Sequence, residues 1–590
     1  MEHKEAVRVT TRVLKETIRP NLKLYLISLV CMVGVAFFTA NLAAVTKKIV
    51  NDVFSASDYK AAMQVCFLVI GISFGKSFFQ YFNQVIAFTF NRTIAVDYQR
   101  QLFEKTLQMS VAHTTQDQPS SLMTLVRMYG QAAGRAVTNI SNKLLTDVLT
   151  LIGLFVVMLM QDWVMLLVAL VLTPLISMLV AHLSKRIRQV ATAEAGMTAA
   201  FISIGAEAFG GIKTVKSYSL EDKVTGRFNE SVETMENRIM SMAKTKSATI
   251  PLMEFIAGLV IGLFVVYAAW QVVENGRTAG EFTALITAFL MAYQPAERVS
   301  NAWVALQNDL VQTKLMFDAL DAEPEERPGE LKPLEVNSPT ISFDQVRFAY
   351  GQNEEVLKGL SFDIKAGESI ALVGQSGAGK STILDLLLKF VEPTSGAVRI
   401  SGENLHDVSA ASLRSSIALI SQDVFLFQGT IRENILSARP GATEQDLEEA
   451  IRLSQLDRVL SVLPNGLDSI VGPNGNTLSG GQRQRVGVAR ALLKGSRIYI
   501  FDEATSALDQ NTERRMLSGV SEALSDVTVI YVTHRPSTLE YVDRVLMLEA
   551  GAIVGFDTHA ALQAGNAQYR NLFNLYQHEQ DEAAKKQGVA

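Results

Sequence analysis

Apolar residues cluster in long runs in the first half of the chain and in short, charge-punctuated runs in the second. Leu24 to Thr46 is 23 residues without a charge. A helix of that length crosses the hydrocarbon core of a bilayer with some tilt. The stretch 61–90 is a second predicted span and carries one charge, Lys76. From Leu144 onward the apolar run is too long for one span, and Gln161-Asp162 is its natural turn. It is therefore read as two spans, 144–160 and 163–183. Two more follow at 252–273 and 279–300, the last containing Pro295. The pattern predicts six helical spans over residues 1–321.

Basic residues predict the orientation. Lys4, Arg8, Arg12, Lys15, Arg19 and Lys23 precede the first span, and Arg92, Arg100, Lys105, Arg127, Arg135 and Lys143 lie between the second and third. The loop after the third span has none, and the loop after the fourth is again rich in them. The N-terminus and the two long loops should therefore face the cytoplasm. With six spans, the C-terminal half joins them. Residues 5–20 read as an interfacial helix, since no cleavage pattern of a signal peptide follows. The long loops are strongly helix-forming, so the spans should continue as helices beyond the membrane. Cys31 and Cys66 fall toward opposite leaflets and should not pair.

Composition narrows the picture. Hydrophobic residues make up 48% and the net charge is −5, which argues against disorder and against a nucleic-acid partner. Two cysteines cannot make a disulfide framework or a cysteine zinc site. Pro324 and Pro328 stand in a glutamate-rich stretch, which sets a linker at 322–340. A second domain is expected over 341–577, followed by a polar tail at 578–590.

That second domain carries the chemistry. Ser369-Ile-Ala-Leu-Val reads as a buried strand. It runs into Gly374, Gln375, Ser376, Gly377, Ala378, Gly379, Lys380, Ser381 and Thr382, and then into an apolar helix. This is a phosphate-binding loop in strand–loop–helix context. Glycines let backbone N–H groups approach phosphate oxygens, and the helix N-terminus adds partial positive charge. Lys380 suits the β- and γ-phosphates of ATP, and Ser381 suits Mg²⁺. A second strand, Arg497 to Asp502, ends in two carboxylates. Asp502 suits the metal, and Glu503 suits a base that polarises the attacking water. Between them Ser479, Gly480, Gly481 and Gln482 open another helix and make a second anion-binding terminus. One nucleotide does not need two such loops from one subunit, and a head-to-tail dimer would explain both.

At these residues the chain resembles an ATP-binding cassette (ABC) exporter half-transporter of the type IV class, the class of the lipid A flippases and bacterial multidrug exporters. The resemblance covers nearly the whole chain, and Leu478–Gln482 matches the family signature between its two Walker motifs. It implies a membrane α-helical domain with six spans and long cytoplasmic extensions, fused to an α/β P-loop nucleotide-binding domain. It further implies that Tyr350 stacks on adenine, that Gln422 reaches Mg²⁺, that Asp509 lies at the dimer seam and that His534 meets the γ-phosphate. Glu207 to Tyr218 matches the second coupling helix, and residues near His113 to Ser121 the first. Two departures stand out. Pro473 replaces a glutamate usual before the signature, and Arg535-Pro536 follows the switch histidine.

The implied function is ATP-driven export or flipping of an amphipathic lipid, glycan or small molecule. It would run by alternating access in a homodimer, among the lipids of a bacterial inner membrane, with both termini cytoplasmic. An ATP-gated channel or regulator on the same scaffold is the alternative. Lys76, mid-span, is the candidate substrate contact; an ion pair to Asp147 or Glu254, or a place facing water inside the bundle, is the plainer reading.

Overall fold

A computed structural model describes residues 3–55, 59–111, 122–123, 125–164, 166–167, 204–205, 207–275, 278–325, 331–351 and 354–586. The chain divides into two compact units, Met1–Leu107 with Gln118–Ala322, and Gln108–Asp117 with Glu323–Ala590.

The first unit is helical. Helix α1 (His3–Ile18) turns Val9, Val13 and Thr17 inward at four-residue spacing. Val9 and Val13 join a cluster with Phe90, Tyr98, Leu310 and Phe317. Arg12 lies 4.0 Å above the Phe317 ring and donates to both oxygens of Asp321, at 2.5 and 2.9 Å. Tyr98 donates to Glu16 at 2.9 Å. The predicted interfacial helix thus commits one whole face to protein.

Helices α2 (Leu22–Lys48) and α3 (Tyr59–Leu107) follow, then α4 (Gly130–Thr138) and α5 (Leu145–Gln161). Three stretches among the described residues have the length and apolar composition to cross a membrane: Leu22–Phe54, Tyr59–Leu107 and Leu125–Gln161. Helix α3 continues well beyond residue 90, as expected of a span that extends past the bilayer. After α6 (Ile212–Ser217) come two very long helices, α7 (Glu221–Asn275, 55 residues) and α8 (Ala279–Asp321, 43 residues). Helix α7 carries an apolar stretch, Ile261–Gln271. Pro251 and Pro295 sit inside these helices without ending them. Most of the predicted fourth span, and all of His113 to Ser121, lie outside the described residues.

Small residues let the helices approach. A Cβ on Gly34 would meet the Phe79 ring at 2.6 Å, and one on Gly75 would meet Phe38 at 2.6 Å. The two rings stack across the α2–α3 seam with centroids 5.8 Å apart. A buried polar tie crosses three segments: the Asn83 amide donates to Asn142 at 3.2 Å, and the Asn142 amide donates to Asn83 at 3.1 Å and to Ser28 at 3.3 Å.

The ion-pair expectation for Lys76 needs correction. Asp147 is buried and takes Arg298 instead, with three contacts of 2.7–3.1 Å. Arg298 offers two donor nitrogens in a planar fork and meets both carboxylate oxygens, a geometry a lysine does not offer. Lys76 is half-buried and makes no salt bridge among the described residues. The Glu254 side chain lies outside the described residues.

The second unit is α/β. Strands β1 (Ile341–Ala349), β2 (Glu355–Ile364), β4 (Ser395–Ile400) and β5 (Glu403–Asn404) form an antiparallel sheet in the order β2-β1-β4-β5. The main sheet holds β3 (Ser369–Val373), β6 (Ile417–Ile420), β9 (Ile498–Asp502), β10 (Thr528–Val532), β11 (Arg544–Glu549) and β12 (Ala552–Asp557). Its order is β12-β11-β3-β10-β9-β6, parallel except for the edge strand β12. Short strands β7 (Gly429–Thr430) and β8 (Ile470–Val471) pair separately. All five residues of β10 are buried, as a central parallel strand covered on both faces requires. Helix α9 (Lys380–Leu387) packs into the core between the two sheets through Ile383, Leu384, Leu386 and Leu387.

Candidate functional site

Four neighbouring parallel strands, β3, β10, β9 and β6, end on the same edge of the sheet. Each hands over one segment that the sequence singles out: Gly374–Thr382 after β3, His534 after β10, Asp502-Glu503 at the end of β9, and Gln422 after β6. Carboxyl ends of adjacent parallel strands are where open α/β sheets gather ligands.

Backbone geometry shapes the loop after β3. Gly374, Gly377 and Gly379 take φ of 152°, 80° and 102°. A Cβ on Gly374 would stand 2.3 Å from the Leu548 carbonyl oxygen, and one on Gly379 would stand 2.6 Å from a Leu357 methyl. Neither position admits a side chain. At Gly377 nothing lies within 4 Å of where a Cβ would stand, so that side of the loop stays open to a bulky anion. Lys380 folds back over the loop and donates to the carbonyls of Gly374 at 2.6 Å and Gln375 at 3.0 Å. Burial lowers its pKa, while Glu503 and Asp502 pull it up. Burial raises the Asp502 pKa, and Glu503 beside it raises it further. The lysine and both carboxylates therefore share one electrostatic environment.

Glu503 is the hub. Its φ of 48° is left-handed, a conformation non-glycine residues hold only where surroundings enforce it. Its N–H donates to the Val532 carbonyl at 3.0 Å. The Gln422 amide donates to one carboxylate oxygen at 2.7 Å, and His534 Nδ1 lies 3.4 Å from the other. Two residues far apart in sequence thus hold one carboxylate at the sheet edge.

Tyr350, just past β1, is 44% exposed and stands edge-on to Phe348. Its hydroxyl donates to Asp385 at 3.2 Å and lies 3.5 Å from the Thr382 hydroxyl, which ties it to the first turns of α9. Gly379 caps α9 in the left-handed conformation, and Ser381 follows Lys380 in the first turn.

Ser479 caps helix α10 (Gly480–Lys494): its hydroxyl accepts from the Gln482 N–H at 3.3 Å, and its own N–H donates to the Gln482 side chain at 2.8 Å. A Cβ on Gly481 would stand 2.8 Å from the Ala507 carbonyl, so α10 packs directly on the loop after β9. Asp509 caps helix α11 (Gln510–Ala523) by accepting from the Thr512 N–H at 3.0 Å. The cap on α10 and the lysine over the loop after β3 are thus each satisfied within their own segment.

Sequence reading missed the brace between these loops. Arg535 donates to buried Glu513 at 2.5 Å, to the Ser506 carbonyl at 2.7 Å and to the Leu508 carbonyl at 3.3 Å. Glu513 is fully buried and also accepts from Thr505 at 2.9 Å. Gln484 completes the lock, donating to Ser506 at 3.0 Å and accepting from the Ala507 N–H at 3.1 Å. The one available signal is Arg535 itself, standing next to a histidine. Removing it strands a buried carboxylate, a loss of about 3–5 kcal/mol. Arg535→Ala should therefore lower the thermal midpoint by several degrees in differential scanning calorimetry. Equal midpoints for Arg535→Ala and the unaltered chain would refute the brace.

The chain is similar to known proteins over nearly its whole length. Residues 357–506 match the family described as ABC transporter, and residues 25–295 match the ABC transporter transmembrane region. The chain is 32% identical over 578 residues to an ATP-dependent lipid A-core flippase of Burkholderia pseudomallei, covering 97% of this chain and 96% of that one. It is 31% identical over 566 residues to an uncharacterised ABC transporter ATP-binding protein of Sinorhizobium fredii, with 96% of each chain covered. The solved structure of a bacterial Atm1-family ABC exporter with ATP bound has the same fold, with a TM-score of 0.82 over 95% of this chain and 99% of that one, at 23% identity. With a transmembrane region and a nucleotide-binding region on one chain, this protein belongs to the ABC transporter family as a type IV exporter half-transporter, a membrane ATPase coupled to transport.

Proposed function

We propose that two copies of this chain form a homodimer that moves an amphipathic lipid or glycan-type substrate across the bacterial inner membrane by alternating access. The observation that carries the reading is the meeting of Gln422, Glu503 and His534 beside the Lys380 loop, at the ends of four adjacent strands. The residues fit the groups the reaction needs. Gly374–Thr382 offers a glycine-shaped cradle with a lysine at its helix start. Ser381, Gln422 and Asp502 are hard oxygen donors of the kind Mg²⁺ takes. When bound, ATP supplies the phosphoanhydride bond and Mg²⁺ neutralises charge on its oxygens.

In this reading Glu503 takes the proton of the attacking water. Gln422 holds the carboxylate in place, and His534 turns toward the γ-phosphate. Tyr350 stacks on adenine. Ser479, Gly480, Gly481 and Gln482 of one copy close over the nucleotide held by the partner copy, with Asp509 at the seam. Support comes from the internal order of the closing loop. Ser479 and Gln482 cap each other, so the half that closes over the partner's nucleotide is ordered by itself.

The membrane domain, 1–321, supplies six spans, with both termini in the cytoplasm. The linker is 322–340, and the nucleotide-binding domain is 341–577. Helix α6 and its flanks, Glu207 to Tyr218, serve as the second coupling helix. The lipid A-core flippase name of several relatives supports a lipid substrate. Lys76, mid-span and without a salt bridge among the described residues, suits an anionic head group.

The test compares hosts carrying the unaltered chain with hosts carrying only Glu503→Gln, by profiling lipids, glycans and small metabolites inside and outside the cells. One amphipathic class should be retained in the variant. Identical profiles would overturn the substrate reading.

A further inference from the structure

The carbonyl oxygen of Gly374 has two donors. One is Lys380 Nζ at 2.6 Å, and the other is the hydroxyl of Tyr576 at 3.2 Å. Tyr576 lies on the C-terminal helix α12 (Ala567–Lys586). That helix is anchored by Tyr569, Leu572 and Phe573, which are buried in one cluster with Ala371 and Val373 of β3 and Val545 and Met547 of β11. It is therefore fixed to the strand that delivers the loop. The Tyr576 ring also stands edge-on to His534, with centroids 6.3 Å apart and planes at 69°. His534 in turn lies 3.4 Å from Glu503. One side chain beyond all the sequence motifs touches the loop and the histidine together.

We propose that Tyr576 is a positioning residue of the ATP site. Its hydroxyl keeps the Gly374 carbonyl bonded when Lys380 swings away, and its ring sets the angle of His534. The proposal rests on the phosphate-loop reading of Gly374–Thr382. Gly374 is buried, so its carbonyl cannot turn to bulk water when it loses a partner. Lys380 donates to that carbonyl, and a phosphate in the loop would draw the lysine off it. With the Tyr576 hydroxyl present the carbonyl keeps a donor throughout. Without it, every departure of the lysine strands a buried acceptor, and the lysine holds to the loop in competition with ATP.

The hydroxyl and the ring make separable predictions. Tyr576→Phe keeps the ring and removes only the donor. In the purified full-length dimer it should raise the ATP Kd and KM about three- to tenfold, the worth of one hydrogen bond, with kcat within about twofold. Tyr576→Leu removes the ring as well and should lower kcat in addition. The decisive comparison repeats Tyr576→Phe on Lys380→Ala and reads equilibrium ATP binding. With no lysine to release, the tyrosine change should have no further effect. An unchanged Kd in Tyr576→Phe, or an equal loss in both backgrounds, would overturn the proposal while leaving the loop reading intact. ATP binding by Lys380→Ala as tight as by the unaltered chain would instead overturn the loop reading, and this proposal with it.

Discussion

Glu503→Gln is expected to bind ATP about as tightly as the unaltered chain and to hydrolyse it about 10²–10⁴-fold more slowly, the usual worth of a positioned general base. Glutamine has the same shape, and its side-chain oxygen can still accept the 2.7 Å bond from Gln422. The backbone N–H bond to Val532 is untouched. What disappears is the negative charge, and with it the attraction for the proton of the attacking water. The contact at 3.4 Å with His534 weakens for the same reason. Equilibrium ATP binding and phosphate release should be measured on one preparation. Near-normal turnover would remove the base assignment.

Lys380→Ala should damage both quantities. Hydrogen bonds to charged groups contribute about 1.5–3 kcal/mol, so ATP affinity should fall roughly ten- to a hundredfold. Turnover should fall as well, because the charge that steadies the transferring phosphoryl group is gone. The fold should survive. Gly374 retains the Tyr576 hydroxyl as a donor, and Gln375 is exposed to water. A thermal midpoint near that of the unaltered chain, together with weak ATP binding, is the expected pair of results. Tight binding would overturn the reading of Gly374–Thr382 as a phosphate loop.

Local signals carry most of what the sequence reveals. A run of 23 uncharged residues, or a glycine-rich loop between a strand and a helix, is complete within one short window. The strand before Gly374 and the helix from Lys380 stand where that window puts them. Contacts between distant segments leave no such trace. Arg298 and Asp147 come from two helices, and neither carries a periodicity that names the other, so charge alone sets Lys76 against Asp147. Arg535 and Glu513 lie on either side of β10 in sequence, and only the folded sheet brings them together. Tyr576 reaches the loop because α12 packs against β3. Pro295 disturbs a helix by local rules, yet α8 runs through it. The inward face of α1, a segment that reads as an interfacial helix, is satisfied by Tyr98 and Phe317, an outcome its own sequence does not distinguish from contact with lipid.

The central claim is that each ATP site is built from two copies of the chain. Two copies joined in one reading frame test it most directly, carrying Lys380→Ala and Gly480→Asp in two arrangements. With the changes on different copies, both fall in one composite site, and the other site stays intact. With both on the same copy, each site loses one of its halves. The account predicts ATP hydrolysis from the first arrangement and almost none from the second. Hydrolysis from the second arrangement and none from the first would contradict it, because that pattern requires each chain to complete its own site.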